Sequence, residues 1–450
     1  MFNPPSGLSS PELFEYYYYI VRVITRVSGV IPLDENTPYG KWKSIFLFIF
    51  INVGLFLIFV PHTIASFTLP TTLNQAIDVA DINFIVINIW SKLAVLAYHK
   101  ETLLKIQENI KKLWGETSCA EEIAELKSFA IKGKITTMCY ITFCVLVTVG
   151  YTTLPLLGSI DGFENESKLP FRIGRKIESK LHLTILYLAQ VIAMLVNCMV
   201  VVGGDMIVPV LLFHICGHFK VMQMKILKID RDCPDSIKIR NNYRASDTNT
   251  PTPSDASALT YNSYVESRLA ECIEHHQLLL KSVWRSQLSS VIIFYIFSSL
   301  SGCFFLSIWA DMERAFNLIG LIQAISGVYS VFISGAGLLI IEGQKLKYIP
   351  HLITAFLQML AFCLPADNLM EESSKVSHAA FSLPWYNCSL KVQNNILYMM
   401  SRAQDCCRYS AGKFFVLSLV VYTTVRSTLS RIKNCKRKKY LNTKLKQRRS

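Results

Sequence analysis

Leu181–Phe213 reads LHLTILYLAQVIAMLVNCMVVVGGDMIVPVLLF, a run with one acid, Asp205, and neither Lys nor Arg. A bilayer core of about 30 Å needs about 20 apolar residues in a helix, so this run crosses with length to spare. Comparable runs are Ser44–Ser66, Ala80–Tyr98, Ile135–Leu157, Leu288–Trp309, Ala315–Ile341, Ile349–Leu364 and Phe414–Leu429, the last two short. Backbone groups at that depth must bond to one another, so helices are expected throughout.

The composition of the whole chain agrees. Of its 450 residues 51% are hydrophobic and only 17% charged, against about 25% charged in a soluble protein. Disorder, a coiled coil and a disulfide-framed secreted domain are excluded. The net charge of +14 suggests nucleic acid, but residues 431–450 hold ten Lys and Arg and no acid, leaving +4 for the rest. No duplex-binding surface, and no nucleic-acid partner, is implied. Thirteen cysteines, an odd number without CxxC, read as buried thiols in a reducing setting. Residues 1–40 lack the pattern of a cleaved leader, and Tyr16–Tyr19 with Ile20, Val21, Val23 and Ile24 reads as an interfacial or packing helix.

Loop charge sets the orientation. The segment 67–79 has no Lys or Arg, while 99–134 has seven and the long connection 214–285 is also basic. The loop 158–180, with five, is an exception, yet it must face the same side as 67–79. The balance puts the N-terminus in the cytosol. The cytosolic segments are amphipathic: Leu103, Ile106, Ile110 and Leu113 recur at helical spacing. So do Val265, Leu269, Cys272, His276 and Leu280, and so do Val392, Ile396, Met399 and Ala403. Residues 241–263, rich in Asn, Ser, Thr, Asp and Pro, read as a flexible loop. The fold class is an all-α polytopic membrane bundle with a cytosolic helical extension.

Chemistry-bearing constellations are few. His214, Cys216 and His218, or Cys272 with His275 and His276, have ligand-like spacing but make no four-ligand zinc pattern; hydrogen bonding at a helix end is the expectation. Cys406 and Cys407 read as packing residues. No phosphate loop, HExxH, GxSxG or carboxylate pair occurs, so neither an enzyme nor a cofactor or metal is expected. Ionisable residues in spans are functional candidates. Lys92 is read as snorkelling, Asp78 and Asp81 as helix N-terminal charges, and Asp205 as facing the bundle interior.

The C-terminal third carries FCLPADNLMEESSKVSHAAFSLPWY (Phe362–Tyr386), VQNNILYMMSRAQ (Val392–Gln404) and AGKFFVLSL (Ala411–Leu419). Together with HICGHFKVMQMKI (His214–Ile226) and ECIEHHQLLLK (Glu271–Lys281), this closely resembles the insect odorant receptor family. Gustatory receptors share the architecture but not the C-terminal block. The resemblance covers nearly the whole chain. It implies seven helices, a cytosolic N-terminus, and a ligand-gated nonselective cation channel, tetrameric with the family's co-receptor, in the plasma membrane of olfactory neuron dendrites. It implies a cytosolic anchor and a broken seventh helix, with a pore-lining half from about Ala411. Trp385, Gln404, Gly412, Lys413, Phe414 and Leu417 are the anchor and pore positions it marks. It also implies a small volatile hydrophobic ligand held in the outer half of the bundle, for which Phe84, Thr148, Tyr151, Tyr187, Gln190, Met194 and Ile333 are the candidates.

The resulting organisation is a cytosolic segment 1–43, four spans in 44–213, cytosolic helices and loop in 214–285, and an extra apolar segment 286–309. Two spans in 310–364, an anchor segment 365–410, a shortened pore helix 411–430 and a basic tail 431–450 follow. Two stretches depart from the family. Residues 282–309 read as an insertion, as retained noncoding sequence, or as an extra or re-entrant helix. Arg426 and the cations of Arg431–Ser450 interrupt what should be an apolar pore helix, and belong on an anionic lipid surface or in solution. A nonconducting form of such a receptor is therefore the alternative. A transporter lacks support because no internal repeat is found, and a G-protein-coupled receptor needs an external N-terminus. Asn165, in Asn165-Glu166-Ser167, is an expected external glycosylation site, whereas Asn387 is not.

Overall fold

A computed structural model describes residues 4–5, 7–29, 37–68, 73–157, 169, 179–231, 255–280, 308–340 and 345–431. These are almost entirely helical. In chain order they form α1 (Ser10–Val27), α2 (Pro38–Thr68), α3 (Leu73–Tyr98), α4 (Lys100–Gly115), α5 (Ala120–Leu157) and α6 (Lys180–Arg231). Then come α7 (Asp255–Leu280), α8 (Ile308–Ile340), α9 (Lys345–Phe381), a 3-10 turn (Trp385–Asn387) and α10 (Leu390–Gln404). A two-stranded hairpin, β1 (Ser410–Ala411) with β2 (Phe415–Val416), leads into α11 (419–431).

Five helices among the described residues are long and apolar enough to cross a bilayer: within Val79–Tyr98, Ala120–Thr153, Lys180–Arg231, Asp311–Leu338 and Tyr348–Phe381. With its 52 residues α6 is about 78 Å long at 1.5 Å per residue, so it projects well beyond a core of about 30 Å. The projecting parts of α5, α6 and α9 collect the short helices at one end. There α1, whose Glu12 carboxylate accepts from the Ser9 amide and hydroxyl, buries Phe14, Tyr17, Tyr18 and Val21. It is a packing helix, as its sequence suggests. Gln107 of α4 donates to the Tyr18 hydroxyl at 2.8 Å. The apolar stripe of α4 is buried in full, as is that of α10; on α7, Val265, Leu269 and Cys272 are buried, and the side chains of His276 and Leu280 lie outside the described set. Asn262 of α7 accepts from the Ser389 amide at 2.8 Å, and Lys391 pairs with Glu266. We call this the anchor end.

Two expectations change. Residues 255–263 of the expected loop are helical; Ala256, Ala258 and Leu259 are strong helix formers and extend α7 backwards. More consequentially, no helix begins at Ala411. Gly412 and Lys413 both take positive φ, 59° and 64°, as in primed hairpin turns, which reverses the chain before β2. The stretch from Ala411, called the pore arm after the role the resemblance implies, therefore starts as a hairpin and becomes helical at residue 419. Its clamp is α8: the Gly412 amide donates to Asn317 O at 2.9 Å, the Tyr409 hydroxyl to Phe316 O at 2.7 Å, and the Ser410 amide to Glu313 at 3.1 Å. Asn165, the loop 241–254 and the apolar segment as far as residue 307 lie outside the described residues.

Candidate functional site

A cavity of about 180 Å³ opens between α3, α5, α6, α8 and α9. Its apolar wall includes Ile82, Ile85 and Ile89 of α3, Val147 of α5, Met194 and Val201 of α6, and Ala355 of α9. At 3.6 residues per turn Ile82, Ile85 and Ile89 share one face of α3, and Lys92 extends it by one more turn.

Lys92 is the floor of the cavity, on the side of the anchor end. Instead of snorkelling, its ammonium pairs with Asp205 of α6 and donates to Gln323 Oε1 of α8 at 2.6 Å. The second Asp205 oxygen accepts from the Tyr140 hydroxyl of α5 at 2.5 Å and from Gln358 Nε2 of α9 at 2.7 Å. One buried cluster thus joins five helices. Asp205 faces inward, as its place in the longest run suggests, with 0% exposure. Lys92 had no route outward, because its helix face is covered by α6, where a Cβ added at Gly204 would meet the Lys92 stem at 3.9 Å, an ordinary packing contact.

A second polar group lies about 16 Å further along α3, eleven residues back at 1.5 Å each. Asp81 is buried rather than exposed as an N-terminal charge; its Oδ2 lies 3.3 Å from His351 Nδ1 of α9 and 3.4 Å from the Tyr151 hydroxyl. His351 and Tyr151 both reach the cavity wall. The side chain of Asp78 is outside the described set.

Of the seven sequence candidates, Thr148, Tyr151 and Met194 line the cavity. Phe84 stacks on Tyr329 instead, centroids 3.8 Å apart, and the Tyr187 hydroxyl donates to Thr152 O at 2.9 Å. Gln190 is buried on α6 and Ile333 half-buried on α8, neither among the lining residues. Sequence reading missed Asn88, Tyr140, Asn197, Ser330, Thr354 and Gln358, which line it. Only the ionisable pair gave a signal in the sequence. The uncharged residues look like ordinary polar residues of a span.

Gln323 also borders a second, apolar cavity of about 480 Å³ between α8, α9 and the pore arm, with Leu417 and Val421 on its wall. Of the anchor and pore positions, Leu417 is buried, Gly412 and Lys413 form the turn, and Phe414 is 80% exposed. Trp385 lies edge-on to Tyr386 at 6.1 Å, and Gln404 closes α10 on an exposed face. His214 and His218 sit mid-helix in α6 and pack as rings against Phe14 (4.9 Å) and Trp114 (5.8 and 6.4 Å), without the expected hydrogen bonds. Burial behind α1 and α4 places the rings of Phe14 and Trp114 opposite them, and His218 also lies edge-on to the His275 ring of α7 at 5.9 Å. The Cys216 thiol does bond, to Pro365 O at 3.6 Å. The ten described cysteines are free thiols, and Cys407 is buried while Cys406 is half-exposed.

The fold defines a multi-pass membrane helix bundle with a cavity between its spans. Residues 72–429 match the 7tm odorant receptor family, and the chain belongs to that family. Its members are receptors, not enzymes. It is 22% identical to odorant receptor 22c of Drosophila melanogaster over 218 residues, 48% of this chain and 43% of that one. It is 34% identical over 80 residues to the odorant receptor coreceptor of Aedes aegypti, 18% of this chain and 17% of the other. The chain thus spans less than half the length of the curated relatives it matches. The fold is similar to that of the olfactory receptor OR5 of the insect Machilis hrabei. That match has a TM-score of 0.68 at 14% identity, over 94% of this chain and 97% of the other. The same receptor in complex with eugenol matches at 0.64 and 12%, over 93% and 96%.

Proposed function

We propose that the chain is an odorant receptor subunit whose cavity takes up a small volatile molecule, and that occupancy gates a nonselective cation channel formed with the odorant receptor co-receptor as a heterotetramer. The membrane is the plasma membrane of olfactory neuron dendrites, with the N-terminus and anchor end in the cytosol. The observation that carries the reading is the mainly apolar cavity between five helices, at the scale of one small ligand. The eugenol complex of the Machilis hrabei receptor supports a ligand of that kind. Gating has a physical route: Lys92 at the cavity floor holds Gln323, and Gln323 borders the cavity walled by Leu417 and Val421 of the pore arm. A ligand that favours one arrangement of the floor shifts the population of the arm.

A second reading, binding without conduction, is favoured by Arg426 and Arg431, both exposed on α11 where a cation path would run. Whole-cell recording with the co-receptor separates the two. Odorant-evoked current absent from cells carrying the co-receptor alone supports gating. Odorant binding without current, restored by Arg426→Leu with Arg431→Leu, supports the second reading. Neither binding nor current sinks both.

A further inference from the structure

We propose that the larger cavity, between α8, α9 and the pore arm, is a lipid site that takes one acyl chain of a membrane phospholipid. It goes beyond the odorant reading and does not depend on the smaller cavity. The wall decides the chemistry. Of its twelve described lining residues none is charged, and only Gln323, Tyr329 and Cys363 are polar. Gln323 gives its Oε1 to Lys92 and buries its Nε2, Cys363 is buried, and the Tyr329 ring stacks on Phe84. An apolar cavity of about 150 Å³ stays dry and takes up benzene. At about 480 Å³ this one has room for about three such rings, the scale of one long hydrocarbon chain.

Position decides the source. Ile325 and Phe332, seven residues apart and so on one face of α8, are 54% and 45% exposed at the edge of the cavity. Ala324, Met359 and Leu417 are buried on its wall. Ile325 stands at the middle of the candidate span Asp311–Leu338, where the surroundings of an exposed side chain are lipid hydrocarbon. The cavity is therefore continuous with the lipid-facing surface of the bundle. From Ile325 to Phe332 its edge runs about 10 Å along α8. The chains of one leaflet occupy roughly 15 Å, half of a core of about 30 Å, so a chain fits lengthwise. Lipid tails are as apolar as Leu, and such a chain packs against Leu417 and Val421 of the pore arm. With no charged group on the wall, the chain is recognised and the headgroup is not.

The test uses the full chain in nanodiscs, alone and with the co-receptor. The probes are phosphatidylcholine and phosphatidylglycerol, each with a photoreactive diazirine on one acyl chain, and adducts are mapped by peptide mass spectrometry. Ile192 of α6, exposed on a span, reports ordinary lipid contact. We expect adducts on Ala324, Met359 and Leu417 with both headgroups, in the presence and absence of the co-receptor. Ile325→Trp, at the exposed edge, and Ala324→Phe, which fills the wall, should lose the Met359 and Leu417 adducts and keep those on Ile192. Adducts on Phe332 and Ile192 but not on the three buried residues overturn the site, because the chain then stays outside. Buried adducts lost when the co-receptor is added overturn it in favour of a neighbouring subunit as the occupant. Buried adducts with one headgroup only overturn recognition by the chain, and adducts that survive both variants overturn the assigned cavity. The unmodified chain decides for or against the site even where a variant fails to fold.

Discussion

Lys92 of α3 and Asp205 of α6 form an ion pair whose side chains are 6% and 0% exposed, in the middle of a bundle that buries mainly hydrocarbon. Two isolated charges at such depth would be prohibitive. Tyr140, Gln323 and Gln358, each from a different helix, supply the remaining hydrogen bonds. The pair therefore fixes the relative rotation of five helices as well as the floor of the cavity.

The partners should fail singly and be tolerated together. Asp205→Ala leaves the Lys92 ammonium buried and uncompensated, at about 3–5 kcal/mol. The double variant Lys92→Met with Asp205→Leu removes both charges and should recover much of that loss. Unfolding midpoints of the purified protein in detergent measure the coupling. Additive losses would show that the two side chains do not act as a pair.

The hairpin turn makes a sharper demand on one residue than on its neighbour. A Cβ at Gly412 would stand 2.7 Å from Leu321 Cδ2, on a backbone with φ 59°. Gly412→Val should destabilise the pore arm by more than about 1 kcal/mol. Lys413→Gly, at φ 64° and exposed, should be neutral or stabilising. Limited proteolysis between α10 and α11 reports the difference, and equal protection in both variants would sink the argument.

Cysteine reactivity should follow the local field at the anchor end. The Lys228 ammonium, 3.2 Å away, and the amides opening α5 hold the Cys119 thiol below its ordinary range. Burial pushes Cys272 up to about 12 and Cys388 up to about 11. A lowered value means more thiolate at neutral pH, so iodoacetamide should label Cys119 ahead of the other two. Lys228→Met should slow Cys119 at pH 7, and the gap should close as pH rises past the ordinary thiol range. Site-resolved mass spectrometry provides the rates; a pH-independent gap would contradict the mechanism.

Topology has a direct assay. Leu157 ends α5 and Lys180 begins α6 at the end of the bundle opposite α4, α7 and α10. Asn165 lies between them in sequence, whereas the turn Trp385–Asn387 adjoins α10. A glycosidase-sensitive mobility shift should vanish in Asn165→Gln and persist in Asn387→Gln. The reverse pattern would invert the orientation.

The segment between α7 and α8 should be dispensable. Cys272 of α7 and Phe316 of α8 are both buried at the anchor end, and Glu313 there holds the hairpin. The two helices that flank this stretch, α7 and α8, thus both reach the anchor end. Deleting 282–307 should leave co-purification with the co-receptor unchanged or improved. Loss of the complex would mean that the segment itself takes part in assembly.

Much of this protein is legible in its sequence. A run such as Leu181–Phe213 fixes a spanning helix because the bilayer leaves no other way to satisfy its backbone. The stripe Val392, Ile396, Met399, Ala403 fixes α10 because a helix needs one apolar face to pack. Family membership was carried by the block from Phe362 to Leu419. The site was another matter. Thr148, Tyr151 and Met194, which line the cavity, were no more distinct in the sequence than Phe84 and Tyr187, which turn aside to Tyr329 and Thr152. In a helix of apolar residues every face looks alike, so only packing decides which face meets the cavity. The fate of Lys92 was decided in the same way. Its partner lies 113 positions away in sequence, and only the crossing of α3 over Gly204 brings that carboxylate within reach.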